Sequence, residues 1–316
     1  MSARCFACYL AVLGFIVLNG CATPIPPQTF AEINYPYPKE RRVWSQRAAV
    51  DLYVAEVGVA SPKQPSLVLL HPWGANVLIW EKLVKKLPPQ QHVVLIDLPG
   101  HGKSGKPLGQ YPPARMAAAT LDVISALKLA RPILVGNSLG GATAIETAIR
   151  APDVVHALVV IGAPGGTPHP SVIRNLVTTF TKPFHIRSAS EPIVRLLWFL
   201  VGHTLDPALE KTVTSAWASP RGSAGWKMFA RAASSSLHSL LDWRPELEKI
   251  KAPTLVVQGQ HDVVVWPWIG QELHERISNS KFHALDSCGH FPQIECLDQL
   301  MATLKPFVEN PTKVIK

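Results

Sequence analysis

A serine, an aspartate and a histidine each follow an apolar run of the sequence, and together they could carry out nucleophilic catalysis. Ser138 follows the run "PILVG", Asp262 follows "TLVVQG" and His290 follows "KFHAL". A serine hydroxyl needs a base to take its proton, and a histidine base is oriented by a carboxylate. Each residue alone also fits an ordinary turn or a structural role. Their combination indicates a nucleophile, an acid and a base.

The serine lies in the pentapeptide Gly136-Asn137-Ser138-Leu139-Gly140, between an apolar run and a pattern typical of a helix. Such a G-x-S-x-G segment predicts a sharp strand-to-helix turn that lifts the hydroxyl clear of the sheet. Glycine on either side removes the Cβ atoms that would clash in this turn. The backbone N–H of Leu139, at the helix start, could then stabilise an oxyanion.

Short apolar runs rich in valine, isoleucine and leucine predict the strands that must position these residues. Continuous runs of this kind are typical of parallel strands buried on both faces. A more amphipathic strand, "AAVDLYVAEVG", precedes them. The buried runs are 66–70, 92–98, 132–136, 157–162 and 254–259.

Segments with helical periodicity separate several of these runs, around Val77–Leu87, Ala114–Leu129 and Leu139–Arg150. Strands that alternate with helices predict an α/β fold with a doubly wound, mostly parallel sheet. Functional sites in such folds lie at the carboxyl ends of the strands, where the serine and the aspartate are expected.

Further motifs show that the chain resembles an α/β-hydrolase from about residue 47 to 310. "LLHPWGAN" (69–76) is similar to the family's oxyanion loop, and "DLPGHGKSGKP" (97–107) to the stretch after its fourth strand. The order Ser138, Asp262, His290 is also that of the family's catalytic triad. The resemblance implies a serine hydrolase that needs no metal or cofactor. It also implies that Asp97 and His101 are mostly structural.

The oxyanion loop departs from the family pattern, because Pro72 follows His71 where glycine is usual. Proline has no N–H to donate, but the alignment makes the next residue the donor. The resemblance therefore implies an oxyanion hole built from the backbone N–H groups of Trp73 and Leu139. The Trp73 indole is expected to line the acyl or leaving-group side.

Residues 165–247 contain no buried-strand run and are predicted to form a helical cap inserted into a core of residues 46–164 and 248–312. Apolar side chains after the oxyanion loop and in the cap predict an apolar substrate pocket, and packing of cap against core is the other explanation for them. These side chains are Val77, Ile79, Trp80, Leu196, Trp198 and Phe199.

The favoured function is hydrolysis of a carboxylic ester, on a small-molecule or lipid-like substrate, through an acyl-enzyme. The alternative is a C–C bond hydrolase of the meta-cleavage-product type, whose elbow and histidine loops resemble "GNSLGGATA" and "CGHFPQIE". Two features oppose it: the oxyanion loop is not glycine-rich, and Arg221 is displaced from the cap position of the expected arginine. A further alternative is a non-catalytic envelope lipoprotein on a hydrolase scaffold.

The N-terminus is predicted to be a lipoprotein signal peptide covering residues 1–20. Its apolar stretch from Tyr9 to Leu18 is too short for a membrane span, and Leu18-Asn19-Gly20-Cys21 resembles a bacterial lipobox. The resemblance implies lipidation of Cys21 and, since Ala22 follows, an outer-membrane anchor facing the periplasm. The proline-rich segment 21–45 is expected to be an extended tether.

Composition excludes disorder and disfavours nucleic-acid binding. The 316 residues are 47% hydrophobic and 17% charged, and the net charge of +9 is not concentrated in long basic runs. Two cysteines of the predicted core, Cys288 and Cys296, are too few for a zinc site. They are either a disulfide, as an oxidising compartment would permit, or two small buried apolar residues.

Overall fold

Eight strands form one mixed sheet in the computed structural model, which describes residues 34–165, 222–241 and 243–315. The lateral order is β1-β2-β4-β3-β5-β6-β7-β8. The pairs β1/β2 and β2/β4 are antiparallel, and all other neighbours are parallel. This arrangement confirms the predicted α/β class. The strands are β1 Lys39–Ser45, β2 Val50–Val57, β3 Leu67–Leu70, β4 Val93–Ile96, β5 Ile133–Asn137, β6 Ala157–Ile161, β7 Thr254–Gly259 and β8 Ser280–Leu285.

The central strands are apolar at every position because each face of the sheet has its own core. In β3, Val68 and Leu70 pack into the cluster on one face, whereas Leu67 and Leu69 pack into the cluster on the other. All four side chains are inaccessible to solvent. The continuous apolar runs therefore follow from helices covering both faces.

Helices connect the strands and cover the sheet. The helix predicted at Leu139–Arg150 has those bounds, and the one predicted around 114–129 runs from Pro113 to Ala126. The segment predicted around 77–87 begins with a 3-10 turn, Val77–Trp80. The α-helices are α1 Glu81–Lys86, α2 Pro113–Ala126, α3 Leu139–Arg150, α4 Gly222–Leu241, α5 Pro267–Arg276, α6 Pro292–Glu295, α7 Leu297–Glu309 and α8 Pro311–Ile315.

The predicted tether is wrong at its C-terminal end, because the folded core begins before residue 46. Strand β1, Lys39–Ser45, pairs along its whole length with β2. Ahead of it, the Tyr37 hydroxyl donates a 2.8 Å hydrogen bond to the Val77 carbonyl. Pairing to an amphipathic strand and burial of tyrosine rings stabilise a segment whose prolines indicated an extended linker.

The predicted signal peptide, Cys21 and residues 166–221 of the predicted cap lie outside the described residues. Of the predicted cap, the structure describes Gly165, helix α4 and residues 243–247, and α4 packs on the loop before α2. There the Tyr111 backbone N–H donates to the Ser235 hydroxyl at 3.0 Å. Within the described ranges, no helix is both long and apolar enough to cross a membrane.

Candidate active site

Ser138 lies between β5 and α3 in a backbone conformation that serine rarely adopts. Its φ is 53° and its ψ is −113°, which is strained for a residue with a Cβ atom. Two hydrogen bonds hold it: its N–H donates to the Ile161 carbonyl at 2.9 Å, and its carbonyl accepts from the Ala142 N–H at 2.9 Å. The predicted sharp turn is therefore present.

The glycines on either side of the serine allow close backbone approach. A Cβ atom on Gly136 would collide with the Gly140 carbonyl group. One on Gly140 would collide with the Leu70 carbonyl and lie 2.9 Å from the His71 carbonyl oxygen. Because these neighbours are backbone atoms that cannot move aside, larger residues would displace the turn that carries Ser138.

Asp262 and His290 form a buried hydrogen-bonded pair at the end of β7. The His290 Nδ1 lies 2.7 Å from the Asp262 Oδ2, and each residue is only 3% exposed. A carboxylate can only accept, so Nδ1 carries the proton and Nε2 is the nitrogen left to act as a base. This is the orientation that a base for serine requires.

The Asp262 carboxylate is fixed by three further donors. Its Oδ1 accepts from the N–H groups of Val264 and Val265, both at 2.9 Å. Its Oδ2 also accepts from the Gln258 Nε2 at 3.0 Å. The loop after β7 therefore holds the carboxylate in one orientation before it meets the imidazole.

Asn137 connects the nucleophile turn to the loop that carries His290. Its Nδ2 donates to the carbonyls of Ile161 and His290, at 3.0 and 3.1 Å, and its Oδ1 accepts from the Gln293 Nε2 at 3.0 Å. Asn137 belongs to the segment "GNSLGGATA", whose likeness to the elbow of C–C hydrolases suggested that alternative. In the structure its wholly buried side chain joins the two loops through hydrogen bonds.

Gly162, after β6, lies against the acid and the base. Its φ is +49°, and a Cβ atom there would lie 2.9 Å from the Asp262 Oδ2 and 3.2 Å from the His290 Nδ1. The ends of β5, β6 and β7 thus place the Ser138 turn next to the pair of Asp262 and His290, of which His290 lies on the loop after β8. The sequence analysis missed Gly162, although a glycine directly after a buried strand is a signal of close approach.

Hydrogen bonds of His71 and Trp73 fix the oxyanion loop. The buried His71 accepts from the Leu98 N–H through Nε2 at 2.9 Å, and its Nδ1 donates to the Pro72 carbonyl at 2.8 Å. Burial, with His101 nearby, lowers the pKa of His71 to about 3, so the ring is neutral. The Trp73 indole N–H donates to the Ala233 carbonyl of α4 at 2.7 Å.

The backbone N–H groups of Trp73 and Leu139 make no hydrogen bond within the part of the chain that the structure describes. Ser138 adjoins Leu139 at the start of α3, and Gly140 of the same turn packs against the backbone of Leu70 and His71, just before Trp73. These two donors are therefore available to a ligand at the elbow.

Asp97 supports the neighbouring loop, and the buried His101 packs beside His71. The Asp97 carboxylate accepts from the N–H groups of Val77 and Lys103, at 2.9 and 2.7 Å, and from the Tyr35 hydroxyl at 3.0 Å. Burial raises the pKa of Asp97 to about 6 and lowers that of His101 to about 4. The contacts of Asp97 account for a structural role.

Three residues predicted to line a substrate pocket lie in the core instead. Val77, Ile79 and Trp80 are at most 1% exposed and pack in the cluster that contains Leu67 and Leu69. Of the two interpretations that the sequence left open, core packing therefore applies to these three residues, because the turn after the oxyanion loop packs against the sheet. The other three, Leu196, Trp198 and Phe199, lie outside the described residues.

The loop carrying His290 is closed by a disulfide between Cys288 and Cys296, which resolves the alternative that the sequence left open. Glu295 closes the same loop a second time. Its Oε2 accepts from the Gly289 N–H at 2.9 Å and its Oε1 from the Phe291 N–H at 2.6 Å.

A surface cavity of about 450 Å³ lies beside this loop, lined by residues that include Lys82, Lys86, Glu295, Cys296 and Asp298. A second cavity, of about 660 Å³, lies between α4 and the loop before α2. Among the described residues, no group of three or more histidine, cysteine, aspartate or glutamate side chains is placed to hold a metal ion.

The sequence from residue 65 to residue 296 matches the family model of the alpha/beta hydrolase fold. A pimeloyl-(acyl-carrier protein) methyl ester esterase of Aromatoleum aromaticum is 30% identical over 72% of this chain and 92% of its own. A 2-hydroxy-6-oxononadienedioate/2-hydroxy-6-oxononatrienedioate hydrolase of Escherichia coli is 28% identical over 78% of this chain and 88% of its own.

Solved structures agree on the fold. An esterase from Thermogutta terrifontis superimposes with a TM-score of 0.72, covering 87% of this chain and 99% of its own at 17% identity. At that level of identity the likeness concerns the architecture alone.

Proposed function

Because the chain belongs to the α/β-hydrolase fold family, we propose that it is a serine hydrolase that cleaves a carboxylic ester through an acyl-enzyme. The observation that carries this proposal is the 2.7 Å pair of His290 and Asp262 beside the strained turn of Ser138. A buried acid that fixes the imidazole tautomer is what an activated serine requires, and the turn places Ser138 at the same strand ends.

The reaction follows from these groups. His290 Nε2 takes the Ser138 proton while Oγ bonds to the carbonyl carbon, and the N–H groups of Trp73 and Leu139 stabilise the oxyanion. The intermediate collapses, and the imidazolium gives its proton to the departing alkoxide. A water then loses a proton to His290 and attacks the acyl carbon, and Ser138 recovers its proton as the acid leaves.

The ester class is supported by the Aromatoleum relative, an esterase that is similar along most of its length. We propose a small-molecule or lipid-like ester as the substrate. The neutral His71 and the indole of Trp73 bring no charge to the oxyanion loop, which suits an uncharged ester carbonyl.

Labelling with a fluorophosphonate probe tests the nucleophile. The wild type is expected to react and Ser138→Ala to remain unlabelled with an unchanged melting temperature. Hydrolysis of p-nitrophenyl esters of increasing chain length then reports the acyl preference. A folded wild type that neither reacts with the probe nor hydrolyses any ester would refute the proposal and favour a non-catalytic envelope protein.

A C–C bond hydrolase is the second candidate, favoured by the likeness to the Escherichia coli hydrolase. It would share the serine, histidine and aspartate but require a 2-hydroxy-6-oxo dienoate substrate. Loss of the visible absorbance of such a substrate, with negligible ester turnover, would select this candidate. Ester turnover that exceeds dienoate turnover would eliminate it.

For location, we propose a lipid anchor at Cys21 that holds the enzyme at the bacterial outer membrane, facing the periplasm. The lipobox-like segment before Cys21 supports it. Cys21→Ser should move the protein from the membrane fraction to the soluble fraction, with Cys5→Ser as a matched control. Retention of Cys21→Ser in the membrane fraction would contradict the anchor.

A further inference from the structure

The loop that presents His290 is held by a carboxylate as well as by a disulfide. Glu295 accepts hydrogen bonds from the N–H groups of residues 289 and 291, which are the two neighbours of His290 in the chain. The disulfide joins Cys288 to Cys296, just outside these contacts. The backbone on both sides of His290 is therefore bonded to Glu295 and Cys296, at the C-terminal end of the short helix α6.

Burying the Glu295 carboxylate in its charged form costs free energy. Burial raises the pKa of Glu295 to about 7, against the effects of its two hydrogen bonds and of His290 nearby. The approach is so close that a Cβ atom on Gly289 would lie 2.5 Å from the Glu295 Oε2. Since the disulfide already closes this loop, loop closure alone does not account for a partly desolvated negative charge.

We propose that Glu295 is the positioning residue for His290. It fixes the loop through both neighbouring N–H groups, and its charge favours the imidazolium that forms when His290 takes the serine proton. This inference rests on the proposed serine hydrolase function. Glu295 lies outside the chain of proton transfers, so it acts on the reaction through His290 alone.

Glu295 has charged and titratable neighbours on two sides. Lys82 and Lys86 of α1 and Asp298 of α7 line the adjoining cavity, and His290 and Asp262 lie on the side of the site. Lys86 is paired with Asp298, whose side chain is 87% exposed. Solvent screens that exposed pair, so Asp298 provides a matched control for the loss of a negative charge in this region.

Three variants separate charge from geometry. Glu295→Gln keeps the shape but loses the charge and one acceptor, Glu295→Asp keeps the charge but is too short to reach both N–H groups, and Asp298→Asn is the control. The profile of kcat/KM against pH is measured with p-nitrophenyl acetate, and the rate of fluorophosphonate labelling is measured over the same range.

We expect Glu295→Gln to lower kcat about tenfold with little change in KM, the effect of one or two lost hydrogen bonds that hold the base. Its kcat/KM should also fall less steeply on the acid side, because glutamine cannot take up the proton that weakens the hold of Glu295, whose pKa burial raises to about 7, on the two N–H groups. Glu295→Asp should keep the acid limb in place and still lower kcat. Asp298→Asn should match the wild type in both.

A Glu295→Gln variant with the wild-type kcat and acid limb would overturn the inference. If that variant does not fold, a wild-type kcat in Glu295→Asp overturns it instead. A wild type that neither turns over ester nor reacts with the probe would refute the proposed function itself, so the two failures are distinguishable.

Discussion

Replacement of Asp262 by asparagine should inactivate the enzyme while leaving its fold intact. An asparagine side chain has the shape of aspartate but offers one acceptor oxygen and one NH2 donor. In the wild type, Oδ1 accepts from the N–H groups of Val264 and Val265, and Oδ2 accepts from Gln258 and His290. All four partners are donors, so the NH2 group must face two of them.

The favourable choice keeps the amide oxygen on the two backbone N–H groups. The NH2 group then faces His290 Nδ1, which must become an acceptor, and the ring proton moves to Nε2. In that tautomer His290 cannot take the proton of Ser138. The opposite choice places NH2 against two backbone N–H groups whose positions are fixed by the turn, and leaves both unsatisfied.

The expected loss in kcat is about 10⁴-fold, or about 5 kcal/mol of transition-state stabilisation, since the oxyanion donors and substrate binding remain. Steady-state kinetics with a p-nitrophenyl ester measure it, with the melting temperature as a check on folding. Asp286→Asn, at an exposed site directly after β8, is the matched control and should keep full activity. A kcat for Asp262→Asn within tenfold of the wild type would refute the argument that the Nδ1 proton directs the base.

Three further predictions concern the supporting residues. Trp73→Phe removes the 2.7 Å bond to the Ala233 carbonyl and should lower kcat about tenfold in steady-state assays, more than it changes KM; an unchanged kcat contradicts a role for this bond. Burial lowers the pKa of His101 to about 4, so between that pH and about 6.5 the unfolded chain binds a proton that the native state does not, and native stability falls as the pH falls. His101→Gln should therefore reduce the slope of unfolding free energy against pH, by up to about 1.4 kcal/mol per unit in urea titrations, and parallel curves would be inconsistent with a neutral buried ring. Changing both Cys288 and Cys296 to serine opens a loop with a sequence separation of 8 and should lower the unfolding free energy by about 2.5 kcal/mol, an effect that a reducing agent should reproduce in the wild type but not in the variant.

Most of the fold was predictable because its signals are local. Strands buried on both faces need apolar residues at every position, and the run 254–259 shows this without any knowledge of its neighbours. Helix α3 was predicted with its observed bounds because a glycine-rich turn marks its start. Strand β1 was missed because it is an edge strand with many charged residues, and its pairing with β2 is a tertiary contact.

In the candidate site, too, local sequence signals were predictive and tertiary contacts were not. The order of Ser138, Asp262 and His290 along the chain was sufficient to predict that they belong together. The roles of Asn137 and Glu295 were not predictable, since each depends on which backbone groups a side chain meets after folding. Periodicity shows that a residue is apolar but not which layer it enters, so the sequence left open whether Val77, Ile79 and Trp80 line a pocket or pack in the core.

The strand order also determines how much of the chain must be present before the serine can be activated. Strand β5, which carries the nucleophile, and its neighbour β6 both precede residues 166–221 in the sequence, whereas β7, on the other side of β6, follows that segment. The acid and the base therefore arrive with the last part of the chain. A polypeptide truncated before β7 therefore contains Ser138 but neither Asp262 nor His290, and it should be unable to hydrolyse an ester.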